Sequence, residues 1–280
     1  MNKEINKENY FISKFTDSTF VGDDGAVVGK YVYSMDAFFE NVHFKTSWMS
    51  LKQIAQKAML VNISDAIVMN AVPKYALLSV AIPSHFTKDD LDQLAKGFQK
   101  IAQQFDIEII GGDTIANEKL DISITIISET SKAIYRTGTN EGDFVCYTGE
   151  LGTVKKDLDR LLNNKKISKK SKFIKPKLHA EFFYEITPFI NSALDISDGL
   201  FCELERLSDA NMIGFDFFDT IDKKIGCSGE EYEILFTFDP KEVEKISEIA
   251  KKHAVPLNIF AKAIDGNYTN ECKSHHFQYD

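Results

Sequence analysis

Hydrophobic and polar positions follow two different periods along the first half of the chain, which predicts a mixture of strands and helices. Tyr31–Met35 alternates and predicts a strand that ends at Asp36. Leu51–Met69 has apolar residues at helical spacing and predicts a helix. Tyr75–Ile82 is a continuous apolar run bounded by prolines, which is typical of a buried strand.

The same mixed pattern continues beyond this strand. Thr87 is a good N-cap for a predicted helix that runs to about Phe105. Glu108–Ile110 and Leu120–Ser128 predict two further strands, with Gly111–Asp113 opening the connection between them. The first half is therefore predicted to be a mixed α/β unit.

A turn-rich stretch at residues 137–143 separates this unit from a second one, and we place a domain boundary there. The predicted domains are residues 1–137 and residues 138–280. In the second half we predict strands at Phe144–Tyr147, Ala193–Ile196, Ile213–Phe218, Glu233–Phe238 and Leu257–Ile264, with helices at Lys177–Ile186, from Leu200 and after Pro240. Two α+β halves are typical of an enzyme with its cleft between domains.

The composition of the chain argues against some classes of function. The 280 residues carry a formal net charge of −9, which disfavours a nucleic-acid partner because phosphate backbones bind basic surfaces. The N-terminus has no apolar segment typical of a secretory signal, and the longest apolar run is far too short to span a membrane. We therefore expect a cytoplasmic protein without a membrane partner.

The four cysteines are far apart and form no Cys-x-x-Cys pair, so a thiolate zinc site is not expected. In a cytoplasmic protein we expect all four to be reduced, structural thiols. Nine lysines and Arg160 lie between Lys155 and Lys177. This run is either a solvated helix and loop or a field that attracts an anionic substrate.

Acidic residues in short, glycine-punctuated segments are the main chemical signal. They occur at Gly22–Gly25, Ser34–Asp36, Asn62–Asp65, Gly111–Asp113, Asp195–Gly199 and Ser228–Glu231. Converging carboxylates repel one another unless a cation offsets them, and oxygen ligands suit Mg²⁺ held together with substrate phosphates. Neither a P-loop nor a dinucleotide-binding glycine motif is present. The pattern predicts a multi-metal site for a phosphorylated substrate.

In their order along the whole chain, these segments closely resemble the thiamine-monophosphate kinase family. The resemblance continues through Tyr135-Arg136, Gly142–Gly149, Ala193–Leu200 and Gly229–Phe236. It implies a two-domain fold like that of aminoimidazole ribonucleotide synthetase: an N-terminal mixed α/β domain that dimerises through its sheet, giving a homodimer, and a C-terminal α+β domain. ATP and several Mg²⁺ ions would lie in the cleft, and a monovalent-cation requirement is left open.

The implied reaction is the final step of thiamine diphosphate biosynthesis, in which the γ-phosphoryl group of ATP passes directly to the phosphate of thiamine monophosphate. The resemblance implies metal ligands at Asp24, Ser34, Asp36, Asp65, Asp113, Asp195 and Asp198, and it implies that Asp195 and Asp198 are catalytic. It also implies nucleotide contacts at Gly112, Asp113, Arg136 and Ser197. The implied substrate contacts are His43 and Glu230. Because the acceptor oxygen is already ionised, the reaction needs charge neutralisation and positioning more than a base.

The chain departs from the family pattern at Met35, Asn70, Ser228 and Glu231, and its second domain is short. Two alternatives stay open. One is another ATP-using synthetase of the same superfamily, although residues 1–22 lack the cysteine that selenophosphate synthetase carries. The other is a non-catalytic protein that binds a thiamine phosphate or a nucleotide, which would not need so many metal ligands.

Overall fold

Two five-stranded sheets, one from each half of the chain, form the framework of the protein. The computed structural model describes residues 7–15 and 18–272. The first sheet has the order β1-β2-β5-β3-β4 and the second the order β7-β9-β6-β10-β8. The strands are β1 (Ala26–Val28), β2 (Tyr31–Phe39), β3 (Val72–Pro83), β4 (Glu108–Asn117), β5 (Asp121–Glu129), β6 (Phe144–Thr148), β7 (Ser192–Asp195), β8 (Ile213–Phe217), β9 (Ile234–Phe238) and β10 (Leu257–Asp265).

Eight α-helices lie among the described residues, and short 3₁₀ turns precede or extend some of them. They are α1 (Lys7–Ile12), α2 (Leu51–Val68), α3 (Lys88–Gln104), α4 (Thr153–Leu162), α5 (Ala180–Ile186), α6 (Leu200–Asn211), α7 (Lys223–Gly226) and α8 (Val243–His253). Strands β3 and β4 are parallel, and every other strand pairing in the two sheets is antiparallel. The predicted mixed α/β first half and α+β second half are confirmed.

Helix α2 is the element that joins the two halves. It begins at a capping box, in which Ser50 accepts from the Gln53 backbone N–H and the Gln53 side chain accepts from that of Ser50. It contacts β2, β3, β5 and α3 on one side and β7 and α5 on the other. A helix enclosed on both sides must be buried around most of its circumference, and its middle turns are.

The end of α2 explains one departure from the family pattern. Asn70 follows the helix with a φ of 53°, in the left-handed region where glycine is the usual choice. Asparagine tolerates this conformation better than other residues with a side chain. Its side-chain amide also donates to the carbonyl oxygen of Lys132 at 2.7 Å. Asn70 therefore replaces glycine without losing the turn.

Two predicted strand ends are wrong, and both errors concern acidic motifs. Strand β2 does not end at Asp36 but continues to Phe39, because its pairing with β5 extends to Asp121. Gly111–Asp113 is not a connection but the middle of β4, where a register irregularity opposite Ala76 and Leu77 accommodates it. The predicted N-cap at Thr87 is confirmed.

Candidate active site

A cavity of about 890 Å³ lies where the two halves meet. Residues from both halves line it, as a cleft between two α+β units predicts. Nine of the twelve predicted site residues contribute to its wall, namely Asp24, Asp36, His43, Asp65, Arg136, Asp195, Ser197, Asp198 and Glu230. These residues are up to 206 positions apart in sequence (230 − 24), so only the fold brings them together.

Three carboxylates form the centre of this wall. One oxygen each of Asp24, Asp65 and Asp195 can be chosen so that all three lie within 4.8 Å of one another. Burial, followed by the charges of nearby aspartates, raises the pKa of both Asp65 and Asp195 well above the ordinary value. The Oδ2 of Asp24 is buried and has no hydrogen-bond partner among the described residues. Crowded, buried oxygen donors of this kind fit a divalent cation such as Mg²⁺.

Each central carboxylate is held by a different element. Asp65 projects from α2, and Asp195 is the last residue of β7. The hydroxyl of Ser64 donates to Asp195 Oδ2 at 2.6 Å, which ties the second sheet to α2. Helix α2 continues through Ser64 and Asp65 to Val68; the Ser64 hydroxyl holds Asp195, and the Asp65 carboxylate lines the cavity.

The next carboxylate, Asp36, lies in the middle of β2 beside α2. Its backbone N–H donates to Asn62 Oδ1 at 2.7 Å, so a buried amide on α2 fixes the strand against the helix. Asn62 is itself held by donating to the carbonyl oxygen of Ala58 at 2.9 Å. The Asn-x-Ser-Asp motif thus supplies one anchor, one hydroxyl and one carboxylate to the same wall.

Two arginines offset part of the negative charge of the cavity. Arg136 forms an ion pair with Asp24, and its backbone N–H donates to Asp23 Oδ1 at 2.7 Å. Burial would lower the pKa of Arg136, but the charge of Asp24, its hydrogen bond and the charge of Glu203 together outweigh burial and raise the pKa, so the guanidinium stays charged. The second arginine, Arg206, pairs with Asp198 at 2.5 Å. The sequence interpretation missed Arg206, whose only signal is its position two turns after Asp198 on α6.

Glu230, His43 and Tyr232 also line the cavity. The carboxylate of Glu230 pairs at 2.5 Å with Lys57, which is fully buried on α2. The Nδ1 of His43 accepts from the Phe39 backbone N–H at 2.9 Å. Neither Lys57 nor Tyr232 was predicted. A lysine inside an otherwise apolar stretch of a helix was the available signal for Lys57.

Three predicted site residues do not line the cavity. Ser34 is buried in β2, and its hydroxyl donates to the carbonyl oxygen of Asn62 at 3.3 Å. Gly112 and Asp113 are exposed on β4, at the edge of the first sheet and three strand positions from β2. At the usual strand spacing this places them roughly 14 Å from Asp36. Their assignment stays a prediction.

Two departures from the family pattern compensate for each other. The hydroxyl of Ser228 donates to Glu231 Oε1 at 2.6 Å. The same Glu231 oxygen accepts from the backbone N–H groups of Gly152 and Val154 at the start of α4. Its other oxygen lies 2.6 Å from the ammonium group of Lys172. Glu231 therefore fastens the lysine-rich α4 segment to the loop that carries Glu230.

The prediction of four reduced thiols is wrong for two of them. Cys227 and Cys272 form a disulfide, with their Cα atoms 5.6 Å apart. A separation of 45 residues gave no sign of this pairing, because the fold alone brings the last described residue to the loop before Glu230. Cys146 and Cys202 are free.

Comparisons with known proteins agree with this architecture. The family model of the N-terminal domain of AIR synthase related proteins matches residues 22–130. An AIR synthase-like protein is therefore the class that the fold and the carboxylate cavity define. No helix in the described part of the chain is long and apolar enough to cross a bilayer.

Two curated relatives define the family within this class. The chain is 31% identical over 218 residues to thiamine-monophosphate kinase of Bacillus subtilis (strain 168), covering 72% of this chain and 67% of the relative. It is 30% identical over 267 residues to thiamine-monophosphate kinase of Buchnera aphidicola subsp. Schizaphis graminum, covering 84% and 81%. The chain belongs to the thiamine-monophosphate kinase family.

The solved structure described as AaThiL complexed with AMPPCP and TMP has the same fold. Its TM-score is 0.85 at 22% identity, with 99% of this chain and 100% of that chain covered.

Proposed function

We propose that the protein phosphorylates thiamine monophosphate to thiamine diphosphate at the expense of ATP. The observation that carries this proposal is the convergence of Asp24, Asp65 and Asp195 in one cavity of a thiamine-monophosphate kinase family member. A phosphotransferase with a phosphate group as acceptor must bring two polyanions together, and a cluster of cation ligands serves that purpose. A solved structure of the same fold was obtained with an ATP analogue and TMP, which is in line with the proposal.

The carboxylates would hold several Mg²⁺ ions. The donor set is all oxygen, and the buried Asp24 Oδ2 has no hydrogen-bond partner among the described residues. We assign Asp24, Asp65 and Asp195 as the central ligands, with Asp36 and Asp198 at the edge of the cluster. When bound, Mg²⁺ neutralises the phosphate oxygens of donor and acceptor. Ser34 and Asp113 stay predicted ligands outside the cavity of a single chain.

The other cavity residues bind and orient the two substrates. The guanidinium of Arg136 is fixed by Asp24 and keeps further N–H groups for ATP phosphates, and Ser197 also lines the cavity. His43 and Glu230 would contact the organic part of thiamine monophosphate. No side chain is needed as a general base, because the acceptor phosphate oxygen is ionised at neutral pH.

The deciding experiment incubates the purified protein with ATP, MgCl₂ and thiamine monophosphate and measures thiamine diphosphate by chromatography. We expect product that depends on all three components and is abolished by EDTA. Binding of both ligands without product would instead favour the non-catalytic binding protein. ATP hydrolysis without thiamine diphosphate would favour another synthetase of the superfamily.

The proposed assembly is a homodimer formed through the first sheet. One face of this sheet packs on α2, but the other leaves apolar side chains uncovered, including Met35, Leu77 and Ile115, which are 64%, 36% and 59% exposed. Exposed apolar side chains grouped on the open face of a sheet are typical of an interface. Asp113 is paired in register with Ser79 and lies on this same face, so the partner subunit would complete its surroundings.

A charge placed in this face should separate the dimer. We expect Leu77→Glu to shift the protein from dimer to monomer in size-exclusion chromatography with light scattering. Leu162→Glu, at an exposed position on α4 in the other half, is the control and should stay dimeric. A wild-type protein that is monomeric at micromolar concentration would contradict the assembly.

We keep the domain boundary proposed above, with residues 1–137 and 138–280 as the two units. Each unit holds one complete sheet, and limited proteolysis near residue 138 should release fragments of those sizes. A cytoplasmic location is also proposed, because ATP and Mg²⁺ are available there, and cell fractionation tests it.

A further inference from the structure

Lys57 is a fully buried lysine in the middle of α2. Its side chain has no exposed surface, and its ammonium nitrogen lies 4.5 Å from the ring centre of Phe173 and 5.6 Å from that of Phe38. Burying a positive charge is unfavourable unless a partner offsets it, and aromatic faces offset only part of the cost. A lysine at this position therefore serves a function that a leucine would not serve.

The partner of Lys57 is the cavity residue Glu230. The ammonium group donates to Glu230 Oε2 at 2.5 Å, and the Tyr232 hydroxyl donates to Glu230 Oε1 at 3.2 Å. The backbone of Glu230 is in the left-handed region, with a φ of 59°, and its N–H donates to the Ser197 carbonyl oxygen at 2.5 Å. The carboxylate is thus held from two sides, and its exposed 22% lies in the cavity wall.

The charge of Glu230 depends on this pairing. Burial would raise the pKa of Glu230, but the positive charges of Lys57 and His43 and the hydrogen bonds from Lys57 and Tyr232 outweigh burial and lower it. Lys57 comes from α2, His43 from the loop after β2, and Tyr232 from the same loop as Glu230. Of the interactions that oppose burial and lower the pKa of Glu230, the charge of Lys57 is the largest.

We propose that Lys57 is a positioning residue that holds the carboxylate of Glu230 in place, so that this carboxylate selects an acceptor with a positively charged or N–H-bearing organic part. The inference rests on the proposed function and adds the residue that sets acceptor selectivity. The carboxylate cluster would handle the phosphate groups, while the Lys57–Glu230 pair recognises the organic part of the acceptor. Lys57 itself is buried behind Glu230 and acts only through it.

The test compares Lys57→Met, Glu230→Gln and the double variant in steady-state kinetics. For Lys57→Met we expect KM for thiamine monophosphate to rise about tenfold or more, with KM for ATP changed less than about twofold. Glu230→Gln should give the same selective rise. Because Lys57 acts through Glu230, the double variant should lie within about threefold of the single variants instead of showing the product of their effects.

A merely structural ion pair would give a different result. It would change both KM values together or change neither while lowering the unfolding temperature, and either outcome would overturn the inference. Multiplicative effects in the double variant would overturn it as well. Lys252→Met is the matched control, because Lys252 also pairs with a carboxylate, that of Glu185, but lies on the surface of α8. Its kinetics should match those of the wild type.

The inference can still be tested if one of the single variants fails to fold. Removing one member of a buried pair is far more destabilising than removing both, so the double variant should unfold at a higher temperature than either single variant. Calorimetric binding of thiamine monophosphate to Glu230→Gln and to the double variant then supplies the comparison, and unequal affinities would overturn the inference. If the wild type makes no thiamine diphosphate, the proposed function fails, whereas the binding measurements still decide the role of Lys57.

Discussion

At the scale of single residues, the turn at Gly199 and the ion pairs of Arg206 direct the carboxylate of Asp198 into the cavity. Asp198 immediately precedes Gly199, whose φ of 103° turns the chain into α6. A Cβ atom at Gly199 would lie 3.0 Å from the carbonyl carbon of Cys227, so both the conformation and the space require glycine. The guanidinium of Arg206 then forms ion pairs with Asp198 and with the buried Glu203, which fixes the direction of the Asp198 carboxylate.

Replacing this acid should separate catalysis from folding. We expect Asp198→Asn to lower kcat by roughly 100-fold or more, because a neutral amide is a poor ligand for a divalent cation. The circular dichroism spectrum should not change, since Arg206 keeps its bidentate contact with Glu203. Asp216→Asn, an exposed position on β8, serves as the control. Near-normal activity of Asp198→Asn would reject the assignment.

At the scale of secondary structure elements, the close packing of α2 and α3 positions the site. Gly97 is buried on α3, and a Cβ atom there would lie 2.5 Å from the carbonyl oxygen of Lys52 and 2.6 Å from the Ala55 Cβ atom. Glycine thus allows the two helices to touch. Because α2 carries Lys57 and Asp65, any displacement of α2 is transmitted both to the Lys57–Glu230 pair and to the carboxylate cluster.

The substitution Gly97→Ala should therefore be destabilising even though alanine favours helices. Helix propensity alone would stabilise by up to about 1 kcal/mol, whereas overpacking against α2 costs about 1–3 kcal/mol. We expect a net loss of free energy of unfolding in urea titrations. Gln99→Ala, at an exposed position of the same helix, is the control and should be close to neutral. A gain in stability for Gly97→Ala would contradict this packing.

At the scale of the whole molecule, folding brings like charges together. Asp24, Asp65 and Asp195 come from a loop, a helix and a strand end, and their mutual repulsion opposes the docking of the two halves. Burial and these neighbours raise the pKa of Asp195, so the native state binds a proton that the unfolded state releases. Without a metal ion, this contribution to stability falls as the pH rises above the ordinary carboxyl range.

Bound Mg²⁺ should offset the repulsion between these carboxylates and so stabilise the native state. Binding to the native state at ten times Kd adds about 1.4 kcal/mol to the free energy of unfolding, so we expect MgCl₂ to raise the unfolding temperature at neutral pH relative to EDTA. Asp195→Asn removes one negative charge and one ligand. It should be less sensitive to Mg²⁺ and, in EDTA, should lose less stability between pH 5 and pH 8. Equal Mg²⁺ responses would contradict the metal site.

Sequence by itself determined the chemistry and most of the elements of this protein. The period of the apolar positions predicted α2 and β3, the Thr87 cap was predicted correctly, and the acid–glycine motifs identified the acidic residues that line the cavity. These features are local, because a hydrogen-bonded cap or an apolar face depends on neighbouring residues.

Tertiary structure alone decided which side chains meet. It placed Gly111–Asp113 inside an edge strand, where pairing with β3 overrides the glycines, and it joined Cys227 to Cys272. It also paired Lys57 with Glu230, 173 positions away. Such contacts depend on how the two halves dock, and nothing in the local sequence encodes a distance between them.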